Sequence, residues 1–249
     1  IGSQAKALKL LNANFEHYRI CEFDKYAIKS YNAIHGTNFV PTDVTKIHGS
    51  DLGIVDTDKY CYILTYSFPC QDLSVAGLGK GMKKGSGTRS GLLWEAERLL
   101  NETDNLPQVL LMENVPQVHG EGNTEDFNKW QLRLEELGYN TYYQGLNAKH
   151  YGIPQNRERI FAVSIRKDVD NGKFKFPNKI PLNIRLKDIL EKNVDEKYYL
   201  PDDRIDKILN STFMQEKKRI QMKDVCDTLL ARDWKDPKCV QVGQLECSF

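Results

Sequence analysis

Apolar residues in this chain fall into short runs separated by stretches with helical spacing. Ala5–Leu11 is rich in strong helix formers, and Lys25–His35 sets Tyr26, Ala27, Tyr31 and Ile34 along one side. Leu92–Leu100 and Asp126–Leu137 repeat that period, the second closed by Gly138. Between them lie strand-like runs: Tyr18–Cys21, Phe39–Val44, Cys61–Ser67, Gln108–Met112, Asn140–Leu146 and Arg159–Ile165. Strand alternating with helix predicts a doubly wound, largely parallel α/β sheet, with Cys61–Ser67 central and a strand pair late in the order. From about Asp168 the periodicity fades. Asn171-Gly172, Pro177, Pro181 and Pro201 punctuate a charged stretch, so the reading is one domain over 1–167 and a linker with a second over 168–249.

Composition narrows this only a little. The 249 residues carry 35 Lys and Arg against 34 Asp and Glu, so any polyanion must be met by a local patch. Lys217-Lys218-Arg219, Lys223, Arg232, Lys235 and Lys238 make the tail basic, and a solvated face is the default reading of such a run. The six cysteines are scattered without metal-ligand spacing, which points to a reducing compartment and away from zinc or disulfides. No signal peptide or membrane-length apolar run is visible, so a cytoplasmic setting is expected. Ile1 in place of methionine suggests that the true beginning is missing.

The stretch Ser67-Phe68-Pro69-Cys70-Gln71 carries the first candidate chemistry. Pro69 fixes its own φ and keeps Phe68 extended, which puts Cys70 just past a strand end, where open α/β sheets bind ligands. A small buried hydrophobe is the competing reading of any free cysteine. A glycine-rich loop follows, with Lys80, Lys83, Lys84 and Arg89 able to approach phosphates and without evident protein partners. Glu113 ends the Gln108–Met112 run, and Arg157 and Arg159 open the last strand. A thiolate, a carboxyl group and a guanidinium at strand ends suit addition of sulfur to an electron-poor ring whose negative charge is relieved by protonation. The residues alone also allow Glu113 as an N-cap-like acid and the arginines as an ion pair with Glu158. Glu22, at the end of a strand, fits either ribose hydroxyls or a helix N-terminus. Gly2-Ser3 opens a helix where backbone amides can face a ligand.

Taken together, Ser67-Phe68-Pro69-Cys70-Gln71, Glu113-Asn114-Val115 and Gln155-Asn156-Arg157-Glu158-Arg159 resemble, in order and spacing, the signature motifs of the DNA (cytosine-5) methyltransferases. Glu22-Phe23-Asp24-Lys25-Tyr26-Ala27, Thr42-Asp43-Val44 and Tyr151-Gly152-Ile153-Pro154 extend the match over most of 1–167. The resemblance implies a Rossmann-like methyltransferase sheet followed by the start of a smaller target-recognition domain. It implies S-adenosyl-L-methionine as cofactor, S-adenosyl-L-homocysteine as product and cytosine in duplex DNA as substrate. Cys70 would attack C6, Glu113 would engage N3, Arg159 would hold the base near O2, and Arg157 would support the pocket. Ile1, Gly2, Ser3, Glu22, Phe23, Asp43, Pro69 and Leu92 would bind the cofactor, with Glu22 on the ribose and Asp43 on the adenine amino group. Gln71, Ser74 and Gln155 would join the loop cations against DNA, at the expense of flipping the target base out.

The family usually continues to a late motif with Gly-Asn that is not found here. The expectation is therefore a truncated or split enzyme, completed by a further carboxyl-terminal segment or a second polypeptide. A restriction–modification or phage type is expected, acting at the nucleoid. The alternatives are a remnant that binds DNA or cofactor without turnover, and a transfer-RNA methyltransferase. The RNA branch carries a Cys-Phe-Thr tripeptide that is absent here.

Overall fold

The computed structural model describes residues 2–70, 72–73, 81–210, 220–221, 224–228 and 239–240. Its contacts gather into two compact units, 1–145 with 160–175, and 146–159 with 176–249.

The helices form where the periodicity placed them. Ser3–Leu10 (α1) starts from Gly2. Lys25–His35 (α2) is capped by the Asp24 carboxylate, which accepts from the Tyr26 and Ala27 amides, and it ends on left-handed Gly36. The first strand is Ile63–Tyr66 (β1), followed by Leu93–Glu102 (α3), Val109–Asn114 (β2) and Thr124–Glu136 (α4). Then come Tyr139–Asn147 (β3), Gln155–Asn156 (β4) and Glu158–Arg166 (β5).

The main sheet has the order β1-β2-β5-β3. β1 and β2 are parallel, with Tyr66 opposite Met112. β5 runs antiparallel to β2, with Ala162 opposite Met112. Lys167 N–H donates to Gly138 O at 2.8 Å and the Thr141 and Ser164 hydroxyls meet at 2.9 Å, so partner numbers fall as the chain rises and β3–β5 is antiparallel too. The α/β class expected from the sequence stands, and the described sheet is mixed rather than largely parallel.

Two expected strands are absent from it. Tyr18–Cys21 and Phe39–Asp43 join no ladder and Val44 opens a short turn; the two segments are linked instead by the bond from Thr42 N–H to Glu22 O at 2.8 Å. Both are short, and Pro41 removes a donor from the second. β1 is consequently an edge of the described sheet, not its centre.

The core lies on one face of the sheet. Leu110 and Met112 of β2 and Ala162 of β5 meet Leu93 and Leu100 of α3 and Phe127, Trp130 and Leu134 of α4. The three α4 residues recur at helical spacing, as a buried stripe must. Trp130 packs edge-on against Trp94 at 6.2 Å and donates its indole N–H to Tyr66 OH at 3.0 Å. Burying side chains of this size stabilises the fold by roughly 2–3 kcal/mol each.

The second unit is built from shorter pieces. β4 pairs in parallel with Cys226–Asp227, and Ile220–Gln221 pairs in parallel with Cys239–Val240. Cys226 N–H donates to Pro154 O at 2.9 Å, and Thr228 Oγ1 to Asn156 O at 2.7 Å. The helix Asp202–Leu209 and the short turns Ala148–Tyr151, Leu186–Ile189 and Glu196–Tyr198 also belong to it.

Candidate active site

Beyond β1, Ser67–Cys70 belong to no helix or strand, so their buried carbonyls need other donors. The sequence supplies them from far along the chain. Asn114, 2% exposed at the end of β2, donates Nδ2–H to Phe68 O at 3.1 Å. Ser90, fully buried, donates Oγ–H to Pro69 O at 2.5 Å. Asn123 donates to Leu73 O at 3.1 Å and Gln117 O at 3.0 Å. The Asp72 carboxylate accepts from the Arg89 and Ser90 amides at 2.8 and 3.3 Å. Phe68 plugs the core, while Cys70 stays half-buried at the apex. Deleting one such buried donor typically costs about 1–3 kcal/mol.

Ser90, Asn123 and Asp72 went unassigned in the sequence because their partners lie 17 to 50 residues away. Nothing local marks such a pairing.

Glu113 follows Met112 in the β1–β2 register, level with Ser67, whose hydroxyl donates to Glu113 Oε2 at 3.4 Å. Strand alternation turns it to the face opposite buried Met112 and Asn114. The nearby turn Pro116–His119 is entered at Val115 without a side-chain cap. Cys70 and Glu113 thus issue from the carboxyl ends of adjacent parallel strands. Gln155, Arg157 and Arg159 belong to the second unit. There the Arg157 backbone bonds Gln155 O and the Ala148 amide, both at 3.0 Å, and Arg159 Nη1 donates to Glu158 O at 2.6 Å.

Three of the candidate cofactor residues, Glu22, Phe23 and Asp43, flank the Thr42–Glu22 bond in sequence. Glu22 Oε1 accepts from the Asp24 amide at 2.9 Å. Asp43 caps the turn Val44–Lys46, accepting from Thr45 N and Oγ1 at 3.0 and 2.8 Å, which holds its carboxyl below the usual range. Burial, and then the charges of Asp43 and Glu22, push the Cys21 thiol between them up. Phe23, next to Glu22 in the chain, is 74% exposed. Two carboxylates and an open aromatic face fit a nucleoside, whose hydroxyls and amino group donate and whose base stacks. Leu92 enters α3 and lines an open cavity of about 680 Å³ with Lys84, Glu95, Arg98 and Asn101. Neither Cys70 nor Glu113 lies on it. The Pro69 carbonyl is taken by Ser90.

Two of the loop cations are engaged with protein, contrary to the expectation. Lys84 pairs with Glu97, a 7% exposed residue that also meets Arg133 Nε at 3.0 Å, and its ammonium stands 5.3 Å over the Trp94 ring. Arg89 Nη2 lies 3.8 Å from Asp72 Oδ1. Glu97 is the buried exception on a charged helix face, which the sequence pattern hides. Lys83 is exposed. Ile1, Gln71, Ser74 and Lys80 lie outside the described residues.

Gly2 has φ 77°, and a Cβ there would meet His35 Nε2 and Tyr31 at 2.5 Å, so this close approach of α1 to α2 requires glycine. Ser3 begins α1 and bonds Gln4. Beneath lie His17 Nδ1, 2.6 Å from Tyr31 OH, and the His35 ring, 5.0 Å from His17. Burial first, then His35 and Lys9, hold His17 below the ordinary imidazole value of 6.5. The fold therefore favours neutral His17: its contribution is full above that value and is lost as pH falls through the lower, folded one. Acidification to about pH 5 should speed amide hydrogen exchange in Ser3–Leu10, after correction for intrinsic rates. Unchanged protection would remove His17 from the packing of α1.

Comparison with known proteins gives a consistent result. The family model for C-5 cytosine-specific DNA methylase matches residues 1–242. The Type II methyltransferase M2.ScrFI of Lactococcus lactis subsp. cremoris is 48% identical over 141 residues, 57% of this chain and 38% of its own length. The orphan methyltransferase M.SssI of Spiroplasma monobiae is 54% identical over 110 residues, 43% of this chain and 28% of its own. The chain thus spans well under half of either relative. In fold, the Dnmt2 methyltransferase of S. pombe superposes with a TM-score of 0.69 at 19% identity, over 99% of this chain and 74% of that one.

Proposed function

Because this chain belongs to the C-5 cytosine-specific DNA methylase family, we propose that it methylates C5 of cytosine in duplex DNA through a covalent bond between Cys70 and C6. The observation that carries this reading is the Cys70 turn, clasped by buried Asn114, Ser90, Asp72 and Asn123 beside Glu113. A nucleophile held by its own backbone gains rate from orientation, since little motion remains to be frozen at the moment of attack.

The Cys70 thiolate adds to C6 of the flipped base, and Glu113 hydrogen-bonds and protonates N3 as the ring gains electrons. Arg159 holds the base near O2, with Arg157 supporting it. S-adenosyl-L-methionine supplies an electrophilic methyl group on a sulfonium sulfur. Glu22 accepts from the ribose hydroxyls, Asp43 from the adenine amino group, and Phe23 stacks on the base, with Leu92, Pro69 and the Ile1-Gly2-Ser3 turn beside them. S-adenosyl-L-homocysteine would be the product, and loss of the C5 proton to water with elimination of the Cys70 thiolate would release the methylated base, the N3 proton returning to Glu113. Gln71, Ser74, Lys80, Lys83, Lys84, Arg89 and Gln155 face DNA, where each phosphate contact adds salt dependence.

In this reading residues 1–167 bind cofactor and carry the chemistry, and 168–249 connect to and begin the target-recognition domain. A further segment or a second polypeptide that supplies the rest of that domain is part of the proposal. So is action at the nucleoid of a bacterial or phage-infected cell, as a restriction–modification or phage enzyme. Among the described residues no helix is long and apolar enough to cross a membrane.

Incubating the protein with duplex DNA and methyl-labelled cofactor tests the proposal. Label should appear in 5-methylcytosine, and the rate should fall steeply with added salt. Label confined to transfer RNA, or no transfer in the presence of a complementing recognition segment, would overturn it.

A further inference from the structure

The structure assigns to Arg98 the positioning of the Asp43 turn, and through it of the adenine end of the cofactor. This rests on the cofactor reading of Glu22 and Asp43 given above. Arg98 sits in the middle of α3, and every edge of its guanidinium is used. Nε donates to Glu95 Oε2 at 2.8 Å, and Nη1 to both Glu102 oxygens at 2.9 Å. Nη2 crosses to another segment and donates to Val44 O at 3.0 Å and Ile47 O at 2.9 Å. Those carbonyls bracket the turn Val44–Lys46, whose cap is Asp43. Glu102 extends the clamp, since its Oε2 accepts from the Gly49 amide at 3.0 Å. On the other side of the turn, Thr42 N–H holds Glu22 O.

A turn with no strand ladder has few other restraints, because Phe39–Val44 joins no sheet in the described residues. The two carboxylates fix the guanidinium, and the guanidinium fixes the turn. The arrangement needs a planar fork with donors on three edges. A lysine offers one ammonium head, which cannot serve two carboxylates and two carbonyls at once. The same helix presents Leu92 at its start, so one rigid element both walls the cavity and sets the acids.

The test is calorimetric titration of S-adenosyl-L-methionine into the purified protein and its R98M, R98K, D43A and R98M/D43A variants, with duplex DNA affinity measured in parallel. R98M should weaken cofactor binding by about tenfold or more, the worth of one good hydrogen bond to a charged group. R98K should fall between, and DNA affinity should not change. If Arg98 acts through Asp43, the double variant should bind no more weakly than D43A alone. A purely structural role would lower the folded fraction while leaving the dissociation constant of the remainder unchanged. Wild-type affinity in R98M beside weakened D43A would overturn the positioning role and leave the cofactor reading standing, as would additive effects. Unchanged affinity in D43A would overturn the cofactor reading, and the inference with it. Should R98M fail to fold, R98K decides: an affinity equal to wild type rejects the inference, and an intermediate one supports it.

Discussion

Replacing Cys70 with serine should lower methyl transfer by about four orders of magnitude or more, as removal of a catalytic nucleophile does elsewhere. The substitution changes one atom in a turn held by backbone carbonyls, the Asp72 carboxylate and the buried Phe68 ring. Asn114, Ser90 and Asn123 bond the carbonyls of Phe68, Pro69 and Leu73, none of which Cys70→Ser alters. Fold and cofactor affinity should therefore survive, and the loss should fall on the chemical step alone. A serine hydroxyl is scarcely ionised near neutral pH and is a far weaker nucleophile than a thiolate. The direct readout is a duplex with 5-fluorocytosine at the target. Fluorine at C5 cannot leave as a cation, so the Cys70–C6 bond should persist through denaturing electrophoresis. The wild-type protein should give this adduct and the serine variant none. An adduct that survives the substitution would assign the nucleophile to another of the chain's cysteines, Cys21, Cys61, Cys226, Cys239 or Cys247.

How far the sequence could be read depended on whether a signal was local. α2 was bounded correctly because its cap, period and closing glycine lie within the helix itself. The Cys70 turn could be placed because Pro69 acts on its immediate neighbours. The β1–β2 pairing and the late strand pair followed from alternation. By contrast, Tyr18–Cys21 has the composition of a strand, yet pairing needs a partner edge, and sequence composition does not report one. The same limit hid the clasp around Cys70, whose donors come from the turn before α3, the end of β2 and the start of α4. It hid Lys84 on Glu97 as well: a charged residue on an amphipathic helix reads as solvated until its burial is seen.

The second large effect belongs to Glu113. Glu113→Gln should slow methyl transfer by roughly a hundred- to ten-thousandfold, the range for loss of a positioned general acid. Glutamine has the same shape and can still accept from Ser67 Oγ, so the β2 end and its pairing with β5 should be undisturbed. What it cannot do is give up a proton to N3 while sulfur adds to C6. Without that proton the ring must carry the added electron pair uncompensated, and the covalent state becomes less accessible. The deficit should therefore appear before methyl transfer, in the rate of adduct formation with 5-fluorocytosine DNA and in exchange of the C5 hydrogen with solvent. DNA and cofactor dissociation constants should stay within about threefold of wild type, since surface-accessible isosteric changes seldom cost more. Ser67→Ala offers the contrast, because a 3.4 Å bond from an exposed hydroxyl adds little to the placement of the carboxyl group. Its rate should fall by less than about fivefold, whereas the glutamine variant's loss should persist at saturating DNA and cofactor. A glutamine variant that exchanges the C5 hydrogen at the wild-type rate would show that Glu113 holds the base without protonating it, and the acid would have to be sought elsewhere.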